Sequence, residues 1–444
     1  MKRVFQKLGR LVPRGNLVRS VLVASSGNIA AIVLALGASP FITRLYDPTA
    51  LGLYGVFMSL VYLVGVLATL RYEAAISLPT EEKTAVNIVV LCVVVSCVLV
   101  MTIGLITHFF GEVFWSLGSV VNLRPYQNIF FLTLIAYAGY EAYSFWIVRY
   151  QKYKQLALVR FSYSVGMIST QITAGVIGSG TVGLILGPMV GYGLGCLFLI
   201  ILFFRHPGFA SSVSPLEMVS ASSRYRKFAI FATPATLLVK VNSHLPTLLM
   251  ASLYSLEVAG FCALAQRVVS NPLSALSQPV SRVFFSRAAE LHRENLPGLS
   301  NLYTRTLSRV LKLAVLPLVI GMAFAPPVFA IVFGERWREA GLFCTIMAPM
   351  IFTQLLATIL SSSFDVLEKQ RYQFAVSFVG TLLSGAAILL SWKLNFSPRS
   401  MMIALSAASV VGYLIICGVS WMVVQKYESF AVTGDGGDSY GTKR

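Results

Sequence analysis

The sequence predicts an all-α polytopic membrane protein with about twelve transmembrane helices. Three observations carry that prediction. First, 56% of the 444 residues are hydrophobic and only 12% are charged, roughly half the charged share of a soluble domain. Second, mean hydropathy is +0.76, and apolar runs of about 20 residues, the length a spanning helix needs, recur along the chain. Third, the basic residues are unevenly placed. With the N-terminus inside, 27 of the 35 Lys+Arg fall on the cytoplasmic side, six on the outer side and two within the membrane, as the positive-inside rule requires. These figures exclude a disordered chain, a collagen, a secreted disulfide scaffold and an ordinary cytosolic enzyme. The net charge of +18 then belongs to loops facing an anionic membrane surface rather than to nucleic-acid binding.

Residues 1–19 read as a cytoplasmic interfacial segment. Val4, Phe5, Leu8, Leu11 and Val12 share one helical face, and Lys2, Arg3, Lys7, Arg10, Arg14 and Arg19 dominate the rest, a pattern suited to an anionic leaflet; the competing reading is a disordered basic arm. The apolar run that follows is far too long for a cleaved signal. The spans fall near 20–43, 51–70, 85–107, 128–148, 157–178 and 182–204, forming an N-terminal six-helix lobe over 20–204. A cytoplasmic linker occupies 205–227. A second six-helix lobe over 228–424 holds spans near 228–253, 258–281, 310–333, 341–363, 372–392 and 401–424. Residues 425–444 are polar and Gly-rich, the composition of a disordered cytoplasmic tail. The longest outer loop is about 108–127, and the longest inner connections are 205–227 and 282–309.

A weak internal repeat supports the two halves. Leu45-Tyr46, five residues, then Gly52-Leu53 matches Leu253-Tyr254, five residues, then Gly260-Phe261, an offset of 208. Gln155-Leu156-Ala157 echoes Gln373-Phe374-Ala375 at an offset of 218. Halves of six helices share orientation and relate by an axis along the membrane normal.

Polar groups inside the spans mark the candidate site. Lys240 lies near the middle of the seventh span, where a charge costs about 2.5–3.5 kcal/mol. His244 is one turn away on the same face and Pro246 follows. Arg267 lies in the eighth span with Ser270, Asn271 and Ser274 on its face and Pro272 beyond, an arrangement suited to an anion such as a phosphate. For both cations the competing reading is a structural ion pair, and Glu141 in the fourth span is the one deep carboxylate. Glu141 pairs with a cation, carries a proton, or sits at the cytoplasmic rim. Asn28, with Ser25 and Ser26, puts polar groups into the first span, where they face a cavity or a helix. Arg44, Arg71 and Glu73 end spans and read first as helix-end anchors, and only second as site residues.

Gly183, Gly187, Gly191 and Gly195 recur every four residues, a smooth stripe for a close helix neighbour. The six cysteines sit singly in apolar runs and the four histidines are scattered, so neither disulfides nor a metal site is expected. There is no nucleotide-binding loop, G-x-S-x-G or H-E-x-x-H. No cofactor is expected, and transport work would come from an H+ or Na+ gradient, the substrate gradient or another subunit.

Several stretches resemble a known family. Ser39-Pro40-Phe41-Ile42-Thr43-Arg44-Leu45-Tyr46-Asp47-Pro48 with Gly52-Leu53-Tyr54 is similar to the first-loop signature of bacterial polysaccharide flippases. So is Leu70-Arg71-Tyr72-Glu73-Ala74-Ala75-Ile76-Ser77-Leu78-Pro79. A third match is Phe261-Cys262-Ala263-Leu264-Ala265-Gln266-Arg267-Val268, then Pro272 and Val283-Phe284-Phe285-Ser286-Arg287-Ala288. The chain resembles the O-antigen and exopolysaccharide (Wzx-like) branch of the multidrug/oligosaccharidyl-lipid/polysaccharide exporter superfamily. That resemblance implies two lobes around a central cavity in the bacterial inner membrane and alternating access for a polyprenyl-diphosphate-linked oligosaccharide. It implies cavity cations for the diphosphate or acidic sugars, a role that Lys240 and Arg267 match. Other polysaccharide-assembly proteins and anionic lipids are the expected partners. The competing functions are a cation-coupled drug exporter of the same superfamily, which would display buried acids rather than cations, and a membrane glycan polymerase or ligase, for which the outer loops are too short.

Overall fold

The computed structural model describes residues 16–109, 118–205, 211–293, 298–367 and 369–433. Residues 1–15 of the expected interfacial segment and 434–444 of the expected tail lie outside them. Among the described residues the chain is helical, with no strand. In order, the helices are α1 (Asn16–Leu45), α2 (Pro48–Thr69), α3 (Tyr72–Ala75), α4 (Glu82–Phe109), α5 (Gln127–Arg149), α6 (Tyr153–Val176), α7 (Thr181–Arg205), α8 (Pro215–Arg224), α9 (Thr233–Leu253), α10 (Leu256–Arg293), α11 (Leu299–Phe333), α12 (Arg338–Leu360), α13 (Ser362–Val366), α14 (Gln370–Lys393) and α15 (Pro398–Thr433).

Twelve of these run for 21 residues or more, and the fold is the all-α polytopic one that composition predicts. Eight segments of the described chain are long and apolar enough to cross a membrane on those grounds alone. Helices α6, α9 and α10 have the length but not the composition. Their apolar share is lowered by polar groups, among them Arg160, Lys240, His244 and Arg267.

Contacts divide the chain into two compact units. The first holds residues 15–264 and 331–337, and the second begins at 265 and resumes at 338. The first unit therefore contains α1 to α9 and the opening of α10. Its helices α6 and α7 approach closely along the glycine stripe. A Cβ at Gly187 would lie 2.9 Å from the Met167 carbonyl oxygen, and one at Gly191 2.8 Å from that of Tyr163. The stripe is a packing surface, as small residues in a membrane helix generally are.

The repeat at offset 208 becomes a reciprocal contact inside this unit. A Cβ at Gly52 would collide with the Leu256 carbonyl oxygen, and a Cβ at Gly260 with that of Pro48. Each glycine thus meets the residue four before the other. Gly55 faces its own equivalent, with a Cβ there 2.9 Å from the Ala263 Cβ. Both helices also start alike. Asp47 Oδ1 accepts from the Ala50 N–H at 2.7 Å, and Ser255 Oγ from the Val258 N–H at 3.2 Å; each cap satisfies one of the orphan N–H groups of a first turn. The crossing of α2 and the start of α10 is therefore locally two-fold.

The second unit is built on Phe284, Ala288, Leu299, Tyr303, Phe352, Leu355 and Val424. The connection expected over 282–309 is instead mostly helix, because the apolar stripe of α10 and α11 continues past the spans, with Phe284, Leu299 and Tyr303 buried. The Tyr303 hydroxyl reaches the Cys417 carbonyl at 2.7 Å and Ser420 Oγ at 2.8 Å. Helix α15 continues past residue 424 to Thr433. On that extension Glu428 accepts the N–H groups of Gly298 at 2.6 Å and Ser300 at 3.1 Å, capping the first turn of α11.

The glycine crossing sets a stability test. Gly52→Ala or Gly260→Ala places a methyl against backbone, and the expected result is a melting temperature of the detergent-solubilised protein several degrees below wild type, the cost of overpacking being about 1–3 kcal/mol. Gly418→Ala, whose Cβ meets nothing within 4 Å, leaves it unchanged or raises it, since alanine is the better helix former.

Candidate functional site

Helix α9 begins after a π-helical turn, Phe228–Ala232, with Thr233 Oγ1 donating to the Phe228 carbonyl at 3.2 Å and Pro234 in its first turn. Helix α2 lies alongside it. A Cβ at Gly55 would be 3.0 Å from Thr247 Cγ2, so the missing side chain is what permits the approach. Two turns along α2 from Gly55, the Tyr62 ring stacks on His244, with centroids 5.0 Å apart and planes at 21°. The Lys240 ammonium stands over the same ring at 5.1 Å from its centroid. A cation held against an aromatic face gains about 0.5–2 kcal/mol, the more so when desolvated. Among the described residues Lys240 makes no ion pair.

The Tyr62 ring opens onto a cluster of phenols contributed by further helices. Tyr137 on α5 meets it edge-on at 6.5 Å. Tyr192 on α7 lies 5.2 Å from Tyr137, 5.3 Å from Tyr140 and 4.6 Å from Tyr163 of α6. Glu141, half-buried on α5, interacts electrostatically with Glu73, Lys240, Arg160 and Arg71. The structure thus brings Lys240, His244 and Glu141 of the expected residues into one neighbourhood.

Arg71 and Glu73 form a second feature of this unit. Leu70 and Arg71 are both left-handed, at φ 46° and 58°, a conformation that costs a non-glycine residue roughly 1–2 kcal/mol. The reversal ends α2 and turns Glu73 inward, where its side chain is 3% exposed and its Oε1 accepts from Arg71 Nη1 at 2.8 Å. Arg71 Nε and Glu73 Oε2 are buried without a hydrogen-bond partner among the described residues. Arg149 fastens the loop that follows by donating to the carbonyls of Ile76, Pro79 and Thr80.

The other expected residues lie apart from this cluster or beyond description. Arg44 is exposed in the last turn of α1. Arg267 belongs to the second unit, half-buried on α10, with Nη2 buried and without a hydrogen-bond partner among the described residues. Asn28 and Asn271 have side chains outside the described residues. Tyr62, Tyr137, Tyr140, Tyr163, Tyr192 and Arg160 were not singled out from the sequence. Tyrosine in membrane proteins concentrates at the interfaces, and five of them near the middle of spans was the available signal.

A family model described as polysaccharide biosynthesis protein matches residues 41–342. The chain belongs to that family. No curated protein sequence matches it. Its fold is similar to that of a multidrug resistance MATE family transporter of the MOP superfamily in an inward-facing conformation, at TM-score 0.68 and 14% identity over 92% of this chain and 99% of that one. It is also similar to the lipid II flippase MurJ in an inward closed conformation, at TM-score 0.67 and 13% identity over 93% and 91%. A mutant of the Vibrio cholerae MATE transporter VcmN gives TM-score 0.61 and 14% identity over 94% and 98%. Family and fold make the chain a multi-pass membrane protein of polysaccharide biosynthesis. The matched residues include Lys240, Arg267, the tyrosines and the Arg71–Glu73 pair.

Removing Glu73 tests the buried pair. Glu73→Ala strands Arg71 beside the left-handed turn, with an expected cost of about 1–3 kcal/mol for the unpaired group, read as a lowered melting temperature. The double variant Glu73→Ala, Arg71→Ala recovers part of that loss; a double variant less stable than Glu73→Ala alone would show that the two side chains act separately.

Proposed function

We propose that this protein is a flippase, not an enzyme. It carries polyprenyl-diphosphate-linked oligosaccharide repeat units across the bacterial inner membrane by alternating access, for O-antigen, capsule or exopolysaccharide assembly. Lys240 is the observation that carries the reading. It is a mid-span ammonium, half-buried, held over Tyr62 and left without an ion pair among the described residues. A charge in that position is retained where it meets a ligand or a cavity. Membership of the polysaccharide biosynthesis family supports a glycan substrate, and the fold is shared with a lipid II flippase. In this reading Lys240, with His244 beside it, and Arg267 are each a cation for the diphosphate or acidic sugars. Glu141 is the carboxylate placed to carry a coupling H+ or Na+. Both termini are cytoplasmic, and anionic lipids and other polysaccharide-assembly proteins are the partners.

A second reading, a cation-coupled drug exporter, is favoured by Glu141 beside the aromatic cluster, because rings and a carboxylate suit an organic cation. Export separates the two. In a deletion strain, Lys240→Ala or Arg267→Ala at wild-type abundance is expected to reduce surface polysaccharide at least about tenfold, the cost of one lost charge-assisted contact, while intact lipid-linked repeat units accumulate. Normal surface polysaccharide from both variants would remove the site. No change in the deletion strain itself, with a loss of dye efflux, would favour the drug exporter.

A further inference from the structure

The tyrosines beside Lys240 have a layered arrangement that ring packing alone does not explain. Tyr137 and Tyr192 form the buried layer, 8% and 4% exposed. Tyr62, Tyr140 and Tyr163 lie against it and are half-buried, as is His244, which stacks on Tyr62. Tyr140 and Tyr163 lie 5.6 Å apart with planes at 45°, and Tyr163 donates its hydroxyl to the Met167 sulfur at 3.4 Å. Five helices, α2, α5, α6, α7 and α9, contribute to this one surface.

A core within a bilayer has no need of phenols. Each hydroxyl brought out of water needs a partner or costs several kcal/mol by transfer scales, roughly 2–7, and phenylalanine fills the same volume. The chain uses phenylalanine freely elsewhere, as at Phe284 and Phe352 in the second unit's core. Here the hydroxyls are retained, and none of them is both buried and without a partner among the described residues. They therefore reach partners or open space. A surface of ring faces edged with hydroxyls matches a pyranose. The polarised C–H bonds on one sugar face lie against the electron-rich ring, and the sugar hydroxyls find phenol oxygens at the rim. Arg160, three residues before Tyr163 on α6, and Glu141, next to Tyr140 on α5, supply charged groups to the same neighbourhood.

We propose that Tyr62, Tyr140 and Tyr163 form a sugar-stacking subsite that continues from Lys240, so that a phosphate held at the ammonium leaves the adjoining sugar rings against the phenols. This rests on the flippase reading and adds to it a site for the glycan itself, distinct in chemistry from the cationic site for the diphosphate.

The test uses the full-length protein purified in detergent and two separate probes. One is the oligosaccharide released by mild acid from the strain's own surface polysaccharide, which lacks lipid and diphosphate. The other is inorganic pyrophosphate. Tyr140→Leu and Tyr163→Leu are expected to weaken oligosaccharide binding about tenfold each, as losing one stacked ring does, and to leave pyrophosphate binding unchanged. Lys240→Ala does the reverse. Tyr140→Phe and Tyr163→Phe keep the ring but lose the hydroxyl, and bind the oligosaccharide more weakly than wild type and more tightly than the Leu variants. Where a Leu variant fails to fold, saturating oligosaccharide protects Tyr140 and Tyr163 of the wild-type protein from nitration, located by peptide mass. Oligosaccharide binding unchanged in folded Leu variants, no protection from nitration, or no binding of the oligosaccharide to wild type would each overturn the subsite. If lipid-linked units still accumulate in the Lys240→Ala strain, the flippase reading survives that failure. If they do not, and the Leu variants lose a cationic dye instead, both fall together.

Discussion

Placing an ammonium in the middle of a membrane span costs about 2.5–3.5 kcal/mol, and much of the first unit is arranged around that cost. Lys240 stays half-buried because the Tyr62 ring lies beneath it and His244, one turn on, stacks on the same ring. The stack exists because α2 and α9 come close enough, and they do so because position 55 is a glycine against Thr247. A few residues along, Gly52 and Gly260 bring α2 against the opening of α10. Small side chains thus set helix spacing, helix spacing sets ring geometry, and ring geometry holds the charge.

The opposite end of α2 does with backbone what the crossing does with side chains. Leu70 and Arg71 accept left-handed torsions. Glu73 is thereby turned in against Arg71, while Arg149 gathers three carbonyls of the next loop. Observed backbone outliers of this kind cluster at functional elements. Glu73, Arg71, Glu141, Arg160 and Lys240 interact electrostatically through this part of the unit, so the charge over Tyr62 belongs to a larger network.

The sequence makes the helices legible and the aromatic site much less so. Hydropathy reveals a span whatever its partners, and the helices stand where apolar runs predict them. The extensions of α10 and α11 outside the spans are missed because they bury a stripe, as Phe284 and Tyr303 do, without being apolar overall. Lys240 and His244 are legible because a charge one turn from an imidazole inside an apolar run is rare. Tyr62 is not, since its role comes from a contact with a distant helix and tyrosine is common in this sequence. Glu73 reads as a helix-end residue until the left-handed turn before it is known; a Leu-Arg pair gives no sign of a conformation that glycine usually marks.

Movement of a lipid-linked glycan past Lys240, as proposed above, is open to direct observation. The most direct measurement reconstitutes the purified protein into liposomes carrying the strain's lipid-linked oligosaccharide and follows its exposure to a membrane-impermeant diol oxidant. The expected result is oxidation of both leaflets' glycan with wild type, and of the outer leaflet alone with Lys240→Ala or with no protein. Oxidation confined to the outer leaflet with folded wild type, or of both leaflets with Lys240→Ala at the wild-type rate, would contradict it.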